Sequence, residues 1–197
     1  MLALVLAVAA VLPCSAQESA SLPQRFGADA SAGFGYGVIS GEGIADANYG
    51  SALFRLDSFT QAASQPGPRL GLGMWGQLTI GQEATLSEVN SLGQHVEQPL
   101  TLNHAGLSAV LRHDPEASVT GTFGVGFGRI EVQTGDTSPV AMPAFTLEGG
   151  VRTKLRGTAF LDVMARAHWV TRTDLNSGQQ VEWWLVELVA LFGSHLR

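Results

Sequence analysis

Residues 26–38 read FGADASAGFGYGV, and their period of two decides how the chain is to be understood. Phe26, Ala28, Ala30, Ala32, Phe34, Tyr36 and Val38 are apolar, and the residues between them are glycine, Asp29 and Ser31. Successive side chains of a β-strand point to opposite faces, so this pattern predicts a strand with one apolar face and one small or polar face. Residues 69–80, RLGLGMWGQLTI, repeat it with Leu70, Leu72, Met74, Leu78 and Ile80 on the apolar face. Both stretches outrun the five or so residues of a common soluble strand and match the roughly nine to eleven that a tilted membrane strand needs.

Extended along the chain, the same reading predicts eight strands near 26–39, 49–59, 69–81, 100–112, 117–131, 144–155, 158–171 and 182–192. The intervening connections fall at 40–48, 60–68, 82–99, 113–116, 132–143, 156–157 and 172–181. The odd-numbered ones are long and two of the three even-numbered ones are very short, although 60–68 is longer than the pattern wants. Outer-membrane barrels alternate long external loops with short periplasmic turns in this way. The expected fold is therefore all-β: an eight-stranded antiparallel up-and-down transmembrane β-barrel, with both termini in the periplasm.

Charge supports that polarity. Asp29, Asp57, Glu148, Asp162 and Glu187, with Arg55, Arg69, Arg112, Arg152, Lys154 and Arg166, fall mostly on the face opposite the apolar one. An unpaired buried charge is strongly disfavoured, so a narrow barrel must pair these groups inside itself. The lumen is thus expected to be filled by ion pairs and to leave no large pore. Leu70, Leu72, Met74, Leu107, Leu111, Leu161, Val163 and Val186 should point outward, and Arg152, Asp162 and Arg166 inward. A soluble, lipocalin-like barrel that binds a small hydrophobic ligand would reverse that order. Tyr36, Trp169 and Trp184 would mark the external interface, and Phe26 and Phe192 the periplasmic one.

Of the 197 residues, 45% are hydrophobic and only 14% are charged. The formal charge of −6 argues against a nucleic-acid partner, which would want a basic face. Leu2 to Leu12 form an apolar run followed by Pro13-Cys14-Ser15-Ala16, which reads as a secretory signal peptide over 1–16 although no Lys or Arg precedes it. Residues 17–197 would then form the barrel domain, exported through the periplasm to the cell outer membrane. Cys14 is the single cysteine, so that domain would have neither disulfide nor thiol chemistry. Partners implied are the lipid bilayer and lipopolysaccharide, a possible surface ligand at the long loops, and no second copy of the chain.

Three segments carry a family likeness. SVTGTFGVGFGRIEVQT (118–134) resembles the central strand of OmpA/OmpX-like outer-membrane β-barrel proteins. AFTLEGGVRTKL followed by RGTAFLDVMARAHWV is similar to the strand, tight turn, strand unit of that family, and VEWWLVELVALF to its final strand. The resemblance implies a non-enzymatic envelope protein with a structural or surface-interaction role, and a final strand whose terminal aromatic, here Phe192, is read by the assembly machinery. Gly193-Ser194-His195-Leu196-Arg197 follow that aromatic and depart from the pattern.

Chemical motifs are sparse. GLGMWG (71–76) satisfies the G-x-G-x-x-G pattern, but Gln77-Leu78-Thr79-Ile80 continues the strand alternation where a nucleotide site requires a helix. The glycines are expected instead, with Gly124, Gly126 and Gly128, to make room for large luminal side chains such as Trp75. The histidines at 95, 104, 113, 168 and 195 show neither strand nor helix spacing for a local metal site. His104 and His168 are expected in the lumen. No His-x-Ser pair of the lipid-modifying barrel enzymes and no Gly-x-Ser-x-Gly elbow occurs, so no catalytic residue, cofactor site or metal ligand is assigned. A narrow channel or a hydrophobic-ligand binder is the rival to a purely structural barrel.

Overall fold

The computed structural model describes residues 25–41, 44–61, 67–80, 85–89, 95–113, 117–134, 139–173 and 180–196. The expected signal peptide lies outside them. The strands are β1 (Arg25–Gly41), β2 (Ile44–Gln61), β3 (Arg69–Ile80), β4 (Thr85–Val89), β5 (His95–Arg112), β6 (Val119–Thr134), β7 (Val140–Lys154), β8 (Ala159–Thr173) and β9 (Gln180–Leu196). Each pairs antiparallel with its neighbours in a single sheet, and β1 pairs with both β9 and β2, so the sheet closes on itself. The short β4 pairs with the start of β5 and touches β2 at Ile44–Leu86, which continues the line of β3. The wall therefore has eight staves, and closure leaves no exposed edge to template aggregation.

The register measures the barrel. A path along the ladder from Val38 runs through Val186, Ala167, Leu147, Val125, Ala109, Leu72 and Ser58 and returns to β1 at Ala28, ten residues away. Eight strands with that offset must tilt by about 35–45°, and they enclose only enough space for side chains.

Which face is inside is settled by exposure. Leu70, Leu72, Met74, Leu107, Leu111 and Val186 are all exposed, and Val163 lies at the same level at 37%. Leu161 is half-buried on the same outer face. Arg152, Asp162 and Arg166 are 1–3% exposed. Phe34, Tyr36, Phe54, Phe123, Phe127 and Phe145 extend the outer apolar belt around the wall. Water would penalise such a surface heavily and lipid would not, so this is a transmembrane barrel. The soluble alternative, with an apolar lumen and a polar coat, is excluded by the same observation.

Two expectations need correction. The strands run further than predicted, chiefly at the end opposite the chain termini, here called the distal end. Of the expected connection 40–48, residues up to Gly41 belong to β1 and those from Ile44 to β2, with Gly41 paired to Ile44. Most of 82–99 is likewise β4 and the beginning of β5. The alternation of long and short connections is consequently weaker than it looked, because polar residues at these strand ends resemble loop residues. At the terminal end, the tight turn expected at Arg156-Gly157 is present. Gly157 adopts φ 70°, a left-handed geometry that suits glycine, and the Leu155 N–H donates to the Ala159 carbonyl at 2.9 Å. Finally, β9 does not stop at Phe192 but continues to Leu196, paired with β1 through His195–Asp29 and Leu196–Ala28.

Glycines make room in the lumen, though not always for the partner expected. Trp75 faces Gly106 across the β3–β5 ladder, where a Cβ would lie 2.6 Å from Trp75 Cζ2. At Gly124 a Cβ would lie 2.4 Å from Glu148 Oε1. Gly106→Val should therefore overpack the lumen and destabilise the barrel by about 1–3 kcal/mol. Gly121→Ala, whose Cβ would meet only His113 Cβ at 4.0 Å, should change little. The temperature at which the compact gel band of the folded barrel converts to the unfolded one measures both.

Candidate functional site: the filled lumen

Strand parity carries five carboxylates (Asp29, Asp57, Glu148, Asp162, Glu187) and four guanidiniums (Arg55, Arg112, Arg152, Arg166) into the lumen, each at most 3% exposed. Arg69 and Lys154, expected with them, sit half-buried at the rim, where their strands begin and end. The nine form one alternating chain. Asp162 takes both Arg152 Nε and Nη2, at 2.6 and 2.7 Å. Arg152 also reaches Asp29, which accepts from Arg112 at 2.7 Å. Arg112 contacts Asp57 at 3.4 Å, and Asp57 accepts from Arg55 Nε at 2.7 Å. Arg55 then forks onto Glu148 with two bonds of 2.8 Å. Arg166 links Glu148 at 3.4 Å to Glu187 at 3.2 Å. Planar guanidinium forks suit this role because each can serve two carboxylates while staying charged.

Neutral groups complete the network. Glu187 also accepts from Ser51 Oγ at 3.2 Å and Gln77 Nε2 at 2.9 Å, and Arg166 donates to Gln77 Oε1 at 3.1 Å. His168 lies 3.3 Å from Glu187 through Nε2 and 2.9 Å from Thr146 Oγ1 through Nδ1. A carboxylate only accepts, so Nε2 carries the proton, and a neutral ring then accepts the Thr146 hydroxyl at Nδ1. Arene faces cover the remaining cationic surface. Arg166 stacks over Trp75 at 4.3 Å, Arg112 over Phe59 at 4.0 Å and Arg152 over Phe160 at 3.4 Å.

His104 and His168 are both luminal, as expected, with ring centroids 5.0 Å apart. Neither ring nitrogen of His104 has a protein partner. Among the described residues no group of three or more His, Cys, Asp or Glu is placed to hold a metal ion. His95 falls at the start of β5, not in a loop, and His113 is exposed just after β5.

One part of the interior was not anticipated. At the distal end the lumen is closed by an apolar ring: Ile39, Tyr49, Leu102, Ile130, Val132, Met142, Ala144, Val170, Trp183 and Leu185, all 0–5% exposed. Outside the wall at this level the belt gives way to Trp169 and Trp184, stacked with centroids 6.0 Å apart, and to the exposed Arg129–Glu131 pair. The ion-paired chain thus fills the middle and the terminal end, and a hydrophobic seal caps it. Trp183-Trp184-Leu185-Val186 held the available signal, because two consecutive apolar pairs break strict alternation and indicate a strand covered on both faces.

Comparison with known proteins adds the fold. No family profile and no curated protein matches this chain. Among solved structures, Neisserial surface protein A matches with a TM-score of 0.55 at 14% identity, covering 86% of this chain and 96% of that one. The outer membrane protein OprG of Pseudomonas aeruginosa matches with a TM-score of 0.51 at 8% identity, covering 88% and 97%. The fold is that of small outer-membrane β-barrel proteins. At such identities the likeness extends to the architecture and to no individual luminal residue.

Removing one partner of a buried ion pair strands the other. Arg55→Met, which leaves Asp57 and Glu148 short of a cation, should destabilise the folded barrel by about 3–5 kcal/mol. Arg129→Met, at the exposed pair with Glu131, should cost less than about 1 kcal/mol. Urea midpoints of the two variants in lipid vesicles provide the comparison.

Proposed function

We propose that this protein is a non-enzymatic barrel of the bacterial outer membrane, akin to the OmpA/OmpX-like proteins, that serves as a structural element and presents its distal end for surface contact. The observation that carries this reading is a lumen filled twice over, by the ion-paired chain and by the apolar ring. A pore needs a continuous wet path, which the ring interrupts, and an enzyme needs a reachable cleft with an activated group. The buried Asp, Glu and Arg groups are instead committed to one another. The lipid-facing belt, with Tyr36, Trp169 and Trp184 at its distal margin and Phe192 toward the other, supports residence in a bilayer whose outer leaflet carries lipopolysaccharide. A closed wall without a free edge favours a monomer.

A narrow channel is the rival reading, and the apolar ring discriminates against it. Purified protein in planar bilayers should give no steady conductance, whereas Trp183→Ala with Leu185→Ala, which thins the ring, should admit ion flow. Steady channels in the unaltered protein would overturn the proposal. The location is tested separately: the protein should resist a urea wash of the membrane fraction and shift in mobility between heated and unheated samples.

A further inference from the structure

The two ends of the barrel differ in charge. At the terminal end Asp29, Asp57 and Asp162 are buried and held by Arg55, Arg112 and Arg152, so these carboxylates contribute nothing to the surface there. What the rim presents is basic: Arg69, Lys154 and Arg156. Among the described residues no exposed carboxylate lies at this end; by sequence the 113–116 turn adds Asp114 and Glu116 there, which leaves a smaller basic excess. The distal end has the opposite balance, with Glu131 and Glu182 exposed and Glu42, Asp46, Glu83, Glu88, Glu97, Asp136 and Asp174 assigned there by sequence, against Arg129 and Arg172.

The basic residues of the rim alternate with apolar ones that face outward. Arg69 precedes Leu70, which is 46% exposed, and Arg156 follows Leu155 at 47%. An apolar side chain dipping into acyl chains beside a cation at its edge places that cation at the level of lipid phosphates. We propose that the terminal rim of the barrel binds anionic phospholipid headgroups, phosphatidylglycerol being the type, in the leaflet that surrounds it. The attraction adds to the hydrophobic belt and fixes the depth and sense of the barrel in an asymmetric membrane, with the acidic end turned away from the anionic phospholipid.

The inference rests on the membrane reading above, and its test separates the two. The full chain is reconstituted in phosphatidylcholine vesicles, and spin-labelled phosphatidylglycerol is compared with spin-labelled phosphatidylcholine in the motionally restricted shell. A gel mobility shift and a restricted component establish insertion; their absence would count against the membrane reading itself. With insertion established, phosphatidylglycerol should be preferred several-fold, and about 1 M salt, which shortens the Debye length to about 3 Å, should abolish the preference. Arg69→Gln with Arg156→Gln should bring the preference most of the way back to equal association. Arg129→Gln at the distal end should leave it unchanged. Should the double variant fail to fold, Arg156→Gln alone, in an exposed turn, serves in its place. Equal association of the two lipids, a preference unaffected by the rim substitutions, or one lost with Arg129→Gln would overturn the proposal.

Discussion

A guanidinium inside a narrow barrel cannot reach water, and everything else in this structure accommodates that fact. Arg55, Arg112, Arg152 and Arg166 are each met by carboxylates from other strands, or from two residues along the same one, as with Arg55 and Asp57. The Coulombic return repays desolvation only when the geometry is good and the remaining donors are used. That requirement accounts for the two-pronged Arg55–Glu148 and Arg152–Asp162 contacts, and for the aromatic rings on the guanidinium faces. Small residues across the ladder follow from the same demand, since Glu148 could not lie against β6 if Gly124 carried a side chain.

The apolar ring and the ion-paired chain divide the labour of closing the lumen. Charges that neutralise one another still leave polar surface that water can follow, and Trp75 Nε1 and both nitrogens of His104 lack hydrogen-bond partners in the protein. The aliphatic members of the ring above them, Ile39, Leu102, Ile130, Val132, Val170 and Leu185, need no hydrogen bonds and offer none. Stacking the two layers makes an interior that is specific in its middle and sealed at its distal end.

Much of this could be read from sequence. Alternation in 26–38 and 69–80 gave away the strands, and the opposition of Arg152, Asp162 and Arg166 to the leucines of the other parity gave away the lumen. Three things stayed hidden, each for a physical reason. Strand ends were missed because polar residues such as those near 95–99 pair as readily in a protruding wall as in a loop. The partners of each arginine were invisible, since Arg55 and Glu148 are separated by 93 residues and meet only once the barrel has closed. The role of His195 was concealed by the glycine and serine before it, which look like a frayed tail. In the fold they continue β9 and bring the ring to Asp29.

The ten-residue offset around the ladder has a consequence for how the wall can be assembled. A slip of one residue between two strands would turn the leucines inward and is forbidden by lipid alone. A slip of two residues would keep every apolar side chain outside, and the bilayer could not distinguish it from the native pairing. Only the lumen can, because such a slip at the β1–β9 seam would carry Asp29 away from His195 and out of line with Arg152. The charges therefore act as the teeth of a key: the membrane selects which face of each strand is outermost, and the acid–base sequence along the axis selects the single alignment in which the cylinder locks.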